Sequence, residues 1–166
     1  MTRAGHVAPL PPEPVTGQPL DPHLLDALLQ NLLDTQPSAM LFAMNAAAGR
    51  VPMPADERFG RCVALPGDDV TGVDYVVVGD RRDVFECWQR ARALGLGRAT
   101  VRLACAPDQT VSLTIVDCRL RHGVWIGLIV PGEGWAADRR PLDPALVVPC
   151  RPRTCKVHKN LYGIIT

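Results

Sequence analysis

Residues 98–132 read RATVRLACAPDQTVSLTIVDCRLRHGVWIGLIVPG, and this stretch predicts three consecutive antiparallel strands. Apolar residues alternate with polar or small ones over 101–105, which is the period of a half-buried strand. Segments 106–109 and 121–123 contain turn-forming residues and separate the strands. The pattern predicts a three-stranded meander, and such a meander needs a cover over one face. The predicted strands are 101–105, 111–121 and 124–130.

The second strand carries apolar residues on both faces. The apolar members of 111–115 share one face, whereas Val116, Cys118 and Leu120 share the other. Because strand side chains alternate between faces, one face cannot hold both sets. Either a β-bulge lies near 115–117, or both faces of the sheet are covered there. In a dimer, a helix from either chain would supply the second cover.

Residues 81–94 predict an amphipathic helix immediately before the meander. Asp80 is a suitable N-cap, and Gly95 fits the helix stop. Two shorter strands are predicted upstream, at 38–46 and 51–54. The order of elements has no strand–helix alternation, which disfavours a doubly wound parallel sheet. We therefore predict an α+β fold, with an antiparallel sheet of about five strands and helices on one face.

The N-terminal region divides into a leader and a helix. Residues 1–20 hold five prolines and predict a flexible leader. Residues 21–35 predict an amphipathic helix with a wide leucine face. Two arrangements remain open: the helix packs on its own domain, or it pairs with its copy in a second chain through a short coiled-coil-like seam. The residues predicted for a dimer interface are Leu25, Leu28, Leu29, Leu32, Val116 and Leu120.

Composition narrows the class of protein. Charge is nearly balanced, with 18 Lys plus Arg against 17 Asp plus Glu, and no strongly basic patch indicates a nucleic-acid partner. No apolar run reaches the ~20 residues of a membrane span. The first residues lack the apolar core of a signal peptide. We expect a cytoplasmic protein without nucleic-acid or membrane partners, with its six cysteines reduced.

The stretch GDRRDVFECWQRARALGLGRATVRLACAPDQTVSLTIVDCRLRHGVWIGLIVP, residues 79–131, resembles the PAS sensor-domain family. That family has two strands, a set of short helices, one longer helix and three long strands that close a five-stranded sheet. The Asp80-Arg81 pair that opens the helix, and the VRL strand followed by the short turn Pro107-Asp108-Gln109, are similar to features of many PAS domains. The resemblance covers roughly 36–131.

The resemblance implies a domain organisation. Residues 21–35 would be the flanking helix that often joins PAS domains into homodimers, and 36–132 would be the PAS-like domain. Residues 133–166 would be a linker and the possible start of a following domain. The chain would then be the N-terminal PAS-like domain of a multidomain bacterial signalling protein, with a downstream output domain.

Some PAS domains hold a cofactor between the helices and the sheet. The reactive-cysteine motif of the flavin-binding branch is absent, and 81–94 contain no histidine of the kind that the haem-binding branch uses. We therefore predict no cofactor and disfavour flavin and haem. Candidates for lining a small-molecule pocket are Phe85, Trp88 and Cys118, and the alternative is that they only fill the core.

A metal site is a weak possibility in the C-terminal tail. Cys150, Cys155 and His158 offer zinc-ligand chemistry, but structural zinc needs four ligands and usually a tighter cysteine spacing. A solvated basic tail is the favoured interpretation, so no metal is predicted.

Three functions remain open from the sequence. The first is a non-enzymatic sensory and dimerisation module that passes a signal to an output domain. The second is an interaction domain without a small ligand. The third, and least favoured, is a small enzyme with an unrecognised site. A roomy pocket between Trp88 and the meander would favour the first function, and convergent polar residues in a cleft would favour the third.

Overall fold

The computed structural model describes residues 17–37, 39–64, 72–104 and 106–131. The rest of the predicted leader and the whole tail at 133–166, with the proposed linker and following domain, lie outside the described residues. No helix in the described ranges has the length and apolarity needed to cross a membrane.

Helix α1 spans Pro22–Thr35, as its leucine pattern predicts. The Asp21 side chain accepts a hydrogen bond from the backbone N–H of His23 at 2.7 Å, and proline occupies the start of the first turn. Both features suit the N-terminus of a helix, where backbone donors have no partner within the helix. The buried face of α1 consists of Leu25, Leu28, Leu29, Leu32 and Leu33.

The sheet is antiparallel along its main path. Its strands, in chain order, are β1 Met40–Met44, β2 Arg50–Val51, β3 Val63–Ala64, β4 Leu96–Leu103, β5 Ala106–Cys118 and β6 Val124–Pro131. The spatial order is β2-β1-β6-β5-β4, and the short β3 pairs in parallel with β1 off this path. The prediction of an α+β protein with a five-stranded antiparallel sheet is therefore confirmed.

Helix α2 spans Arg81–Leu94 and leads directly into β4. Gly95 ends the helix with φ 90°, a left-handed conformation that glycine adopts without strain. In the described part of the connection from β2 to α2, 3-10 helices lie at Glu57–Arg61, Gly72–Tyr75 and Val78–Asp80. A four-residue helix α3, Arg119–His122, joins β5 to β6, where the sequence predicted continued strand and a turn.

The sheet has a hydrophobic core on each face. On one face, α2 covers side chains of β4 and β5, among them Val101, Leu113 and Ile115. On the other face, α1 covers a second cluster that includes Leu41 and Val116. The prediction of helices on one face is corrected, because α1 folds back onto the opposite face of its own sheet and buries its leucines there.

This arrangement accounts for the two apolar faces of β5. The pairing of β5 continues without a shift through 115–117 with β6 and up to Val116 with β4, so no bulge lies there. Both faces are covered instead, by α2 and by α1 of the same chain. The predicted turn at 106–109 lies within β5, and the irregularity falls where Arg102 pairs with Thr110 and Leu103 with Ala106. Three residues of β5 are therefore looped out at the end of the β4–β5 ladder.

Candidate ligand cavity

A cavity of about 350 Å³ lies between α2 and the sheet. Its floor consists of side chains from β1, β4, β5 and β6, and its roof consists of α2 and the segment around Tyr75. Small-molecule sites are typically concave, mostly apolar and roughly 300–1,000 Å³ in volume. This cavity falls at the small end of that range, and most of its described lining is aliphatic or aromatic.

Two of the three predicted pocket residues line this cavity. Trp88 lies on the buried face of α2, and its ring meets that of Trp125 edge-on, with centroids 5.1 Å apart. Phe85 lies one helical turn earlier and is 56% exposed, which places it at the rim. An aromatic pair of this kind fixes the position of both rings. Trp88 therefore forms a fixed part of the cavity wall, and Phe85 forms the part of that wall that is exposed to solvent.

The third predicted pocket residue, Cys118, is elsewhere. It is buried on the opposite face of the sheet, in the cluster beneath α1. Burial raises the pKa of its thiol to about 12, and the nearby Asp117 carboxylate adds to the rise. A thiol with such a pKa holds almost no nucleophilic thiolate at neutral pH. The prediction that Cys118 lines the pocket is wrong, because its place in β5 directs it away from the face that α2 covers.

Arg50 is the functional candidate that the sequence did not reveal. It begins β2, is 8% exposed and lines the cavity. Its Nη1 donates a hydrogen bond to the Tyr75 hydroxyl, and its guanidinium carbon lies 5.0 Å from the centre of the Tyr75 ring and 5.9 Å from that of Phe42. Aromatic faces attract a cation at such distances. In the sequence Arg50 follows Gly49 and suggests only a surface turn, so no local signal marked it.

The rim of the cavity is formed by α2 and by the β1–β2 turn. Gln89 and Arg92 project from α2, and Ala46–Ala48 form part of the turn opposite. The turn is held by Asn45, whose side-chain oxygen accepts hydrogen bonds from two backbone N–H groups within it. Ala48 has φ 61°, the only non-glycine residue with positive φ in the described ranges. Backbone strain of this kind is often found beside functional sites.

A separate polar network lies at the junction of α1, α3 and the first 3-10 helix. Asp56 contacts the Arg58 guanidinium at 2.8 Å and His122 Nε2 at 3.0 Å. Arg58 also reaches Asp26 of α1 at 3.1 Å. The hydrogen bond from the Arg58 side chain holds the pKa of Asp56 well below its usual range. Because each member pairs with another across three elements, the network fastens α1 to the domain.

The residues predicted for a dimer interface mostly lie inside the chain. Four leucines of α1 are buried against their own sheet, and Val116 is fully covered by them. These five side chains are therefore unavailable to a second chain in this conformation, and their assignment to an interface is corrected. Leu120, on α3, is 74% exposed. The buried leucines are Leu25, Leu28, Leu29 and Leu32.

The weak candidates for metal ligands in the C-terminal tail cannot be placed. Cys150, Cys155 and His158 lie outside the described residues. Within the part of the chain that the structure describes, no three His, Cys, Asp or Glu side chains group in a way that would hold a metal ion.

Comparisons with known proteins add no relative. The chain matches no family model, no curated protein and no solved structure. The functional argument therefore depends on the geometry of the described residues.

Proposed function

We propose that this chain is a non-enzymatic, cytoplasmic PAS-like sensory module, which binds a small molecule between α2 and the sheet and passes the signal to a downstream output domain. The order of elements supports the PAS-like fold: two strands, short helices, one longer helix and three long strands. The observation that carries the function is the cavity of about 350 Å³ beside Trp88. A domain that served only association would have no need of this space, since protein interiors are normally close-packed.

The sheet offers a physical route from the cavity to α1. Ile115 lines the cavity, and its neighbour Val116 lies fully buried beneath α1. A ligand that displaces Ile115 would move the backbone that Val116 shares with it. Packed cores respond to such shifts by repacking between discrete arrangements. The signal is thus a change in how α1 sits on the far face of the sheet, driven by the ligand's differential affinity for the two arrangements.

Dimerisation is part of the proposal, but through a surface other than the leucine face of α1. The leucine face of α1 is occupied, so association would use side chains that remain exposed. Leu120 on α3 is 74% exposed and Leu24 on α1 is 56% exposed. A homodimer contact here would couple a movement of α1 to the partner chain. Its test is the oligomeric state of Leu120→Asp by sedimentation, compared with the wild type.

Native mass spectrometry of the purified chain tests the proposed function, because it reports bound small molecules and subunit count together. Val111→Phe adds volume inside the cavity, and Val78→Phe makes the same change at a site that is 52% exposed. We expect a small molecule to copurify with, or to be acquired from a metabolite mixture by, the wild type and Val78→Phe, and to be absent from Val111→Phe. Equal binding by a folded Val111→Phe, or no binding by any of the three, would contradict the proposal.

A further inference from the structure

We infer that the ligand of this cavity is a hydrophobic molecule roughly the size of naphthalene with a polar group at one end only. Its apolar end lies on the sheet and its polar end lies at the rim. This inference rests on the proposed function and names the chemical class of the ligand. The volume supports the size, because the cavity measures about 350 Å³. An apolar cavity of about 150 Å³ accommodates benzene, so this one has room for a second ring.

The floor of the cavity gives a ligand no hydrogen-bond partner. In the described lining, the side chains from β4, β5 and β6 are all aliphatic: Val101, Leu103, Val111, Leu113, Ile115 and Ile129. The backbone of β5 beneath them is paired on both sides, with β4 and with β6. A ligand hydroxyl or carboxylate placed here would lose its water and gain nothing in exchange, which is unfavourable. The end of the ligand that meets the floor is therefore apolar.

The polar side chains that α2 contributes lie at the rim instead. Phe85, Gln89 and Arg92 follow one another at intervals of four and three residues, so they form one row along the exposed side of α2. The Gln89 amide both donates and accepts hydrogen bonds, and the Arg92 guanidinium donates them. A polar group beside this row also keeps part of its contact with water. Two further polar groups of the lining, the Arg50 guanidinium and the Tyr75 hydroxyl, hydrogen-bond to each other.

Phe85 favours a ligand whose apolar body extends from the floor to the rim. Its side chain is 56% exposed, although it stands at the opening of an apolar cavity. A ring system that fills the cavity and reaches the opening would cover part of the Phe85 ring. Burial of apolar surface is favourable in proportion to the area removed from water. A ligand that ended deep inside the cavity would leave this contact unused.

The test compares three probes that share one ring system: 2-naphthalenemethanol, 2-naphthoate and 2,6-naphthalenedimethanol. Each is titrated into the full chain and followed by calorimetry. We expect the wild type to bind 2-naphthalenemethanol at least about tenfold more tightly than the dimethanol, whose second hydroxyl would face the aliphatic floor. The affinity for 2-naphthoate should lie within about tenfold of that for 2-naphthalenemethanol, because a charge that stays hydrated at the rim interacts weakly with its surroundings.

A matched pair of variants tests the orientation of the ligand. Val111→Thr keeps the shape of the side chain and places a hydroxyl on the floor of the cavity. Val116→Thr makes the same change on the opposite face of the sheet, beneath α1. We expect Val111→Thr to reduce the difference between 2-naphthalenemethanol and the dimethanol to below about threefold, and Val116→Thr to leave it unchanged. Circular dichroism checks that both variants are folded.

The outcomes separate the inference from the proposed function. Equal affinities of the wild type for 2-naphthalenemethanol and the dimethanol would overturn the one-ended ligand and leave a ligand-binding cavity. A difference of more than about tenfold between 2-naphthoate and 2-naphthalenemethanol, in either direction, would overturn the position of the polar group at the rim. No binding of any probe to the wild type would count against both. Because these comparisons use the wild type, they do not depend on the folding of Val111→Thr. A folded Val111→Thr that keeps the full difference would contradict the placement of the apolar end on the floor.

Discussion

The ring of Phe42 lies over the backbone of Gly127, which is its direct partner across the β1–β6 pair. A Cβ atom on Gly127 would come within 2.1 Å of the ring carbon Cζ, closer than two carbon atoms can approach. Because Gly127 has no side chain, the Phe42 ring can lie against its backbone. The same ring lines the cavity beneath Arg50. One glycine in the central part of the sheet therefore shapes the floor of the binding site.

We expect Gly127→Ala to destabilise the fold by about 1–3 kcal/mol, because the added methyl group displaces the Phe42 ring within a packed core. Gly60→Ala is the matched control, since a Cβ on Gly60 would meet nothing within 4 Å. Urea unfolding of the two variants measures the difference. Adding Phe42→Leu to Gly127→Ala should cost less than the sum of the two single changes. Strict additivity would mean that the ring and the glycine do not share this space.

Helix α1 should stabilise its own chain. Leu29→Ala should lower the free energy of unfolding by roughly 2–5 kcal/mol, because Leu29 is completely buried. Leu24→Ala, at an exposed position of the same helix, should change it by less than about 0.5 kcal/mol. The cost of Leu29→Ala should be the same across a hundredfold range of protein concentration. A cost that increased with protein concentration would indicate that α1 makes an intermolecular contact instead.

A charged substitution in β5 and one in α3 should have different effects. Val116→Asp should unfold the domain, since it buries an unpaired carboxylate beneath α1. Leu120→Asp should fold normally and weaken self-association, because Leu120 is exposed. Circular dichroism and sedimentation velocity report the two properties separately. A folded Val116→Asp would show that α1 does not cover β5.

Thiol labelling should distinguish the cysteines by their burial. Cys118 should react only when α1 lifts from the sheet, because its thiol is buried and its pKa is raised to about 12. Cys62, which is half-buried, should react sooner, although burial raises its pKa as well. Timed labelling followed by peptide mass spectrometry gives both rates. Leu29→Ala should accelerate labelling of Cys118 more than that of Cys87, which is buried on the opposite face of the sheet, and equal acceleration of these two would indicate global unfolding.

The Asp56 network should make stability depend on pH in the acid range. A carboxyl group whose pKa is lowered in the folded state stabilises the fold above its unfolded pKa of about 4, and this contribution is lost as the pH falls through the folded value. Asp56→Asn should therefore cost roughly 1–3 kcal/mol at pH 7 and show a shallower decline than the wild type below pH ~5.

Glu86→Gln is the control for this pH dependence, because its pair with Arg82 is exposed and such pairs contribute little. Denaturant unfolding between pH 7 and pH 3 compares the three proteins. Parallel curves for Asp56→Asn and the wild type would show that Arg58 does not stabilise the Asp56 carboxylate in the fold.

The sequence predicted the framework because periodicity reports burial directly. The alternation over 101–103 and the leucine repeat of α1 are signals of one face against another, and both match buried faces in the structure, although β4 ends at Leu103. Periodicity identifies the apolar face of an element but does not identify the surface against which that face packs. The leucine face fitted an intermolecular seam as well as the far side of its own sheet, and Cys118 was assigned to the cavity although its strand position favours the opposite face.

Other features had no local signal at all. Arg50 enters the cavity because β2 pairs with β1 and because Tyr75, twenty-five positions later, receives its hydrogen bond. The volume of the cavity depends on how α2 sits over the sheet, and Gly97 sets that approach, since a Cβ there would lie 1.9 Å from the Cys87 carbonyl oxygen. Long-range contacts of this kind are not encoded in any one window of sequence.

The most direct test of the ligand-binding account is an NMR measurement of intermolecular contacts between 2-naphthoate and isoleucine methyl groups. Ile115 and Ile129 line the cavity, whereas Ile126 lies on the opposite face beneath α1. We predict nuclear Overhauser effects from the naphthalene protons to the methyl groups of Ile115 and Ile129, and none to Ile126. Contacts to Ile126 instead, or no contacts to Ile115 and Ile129 at saturating probe, would contradict a binding site between α2 and the sheet.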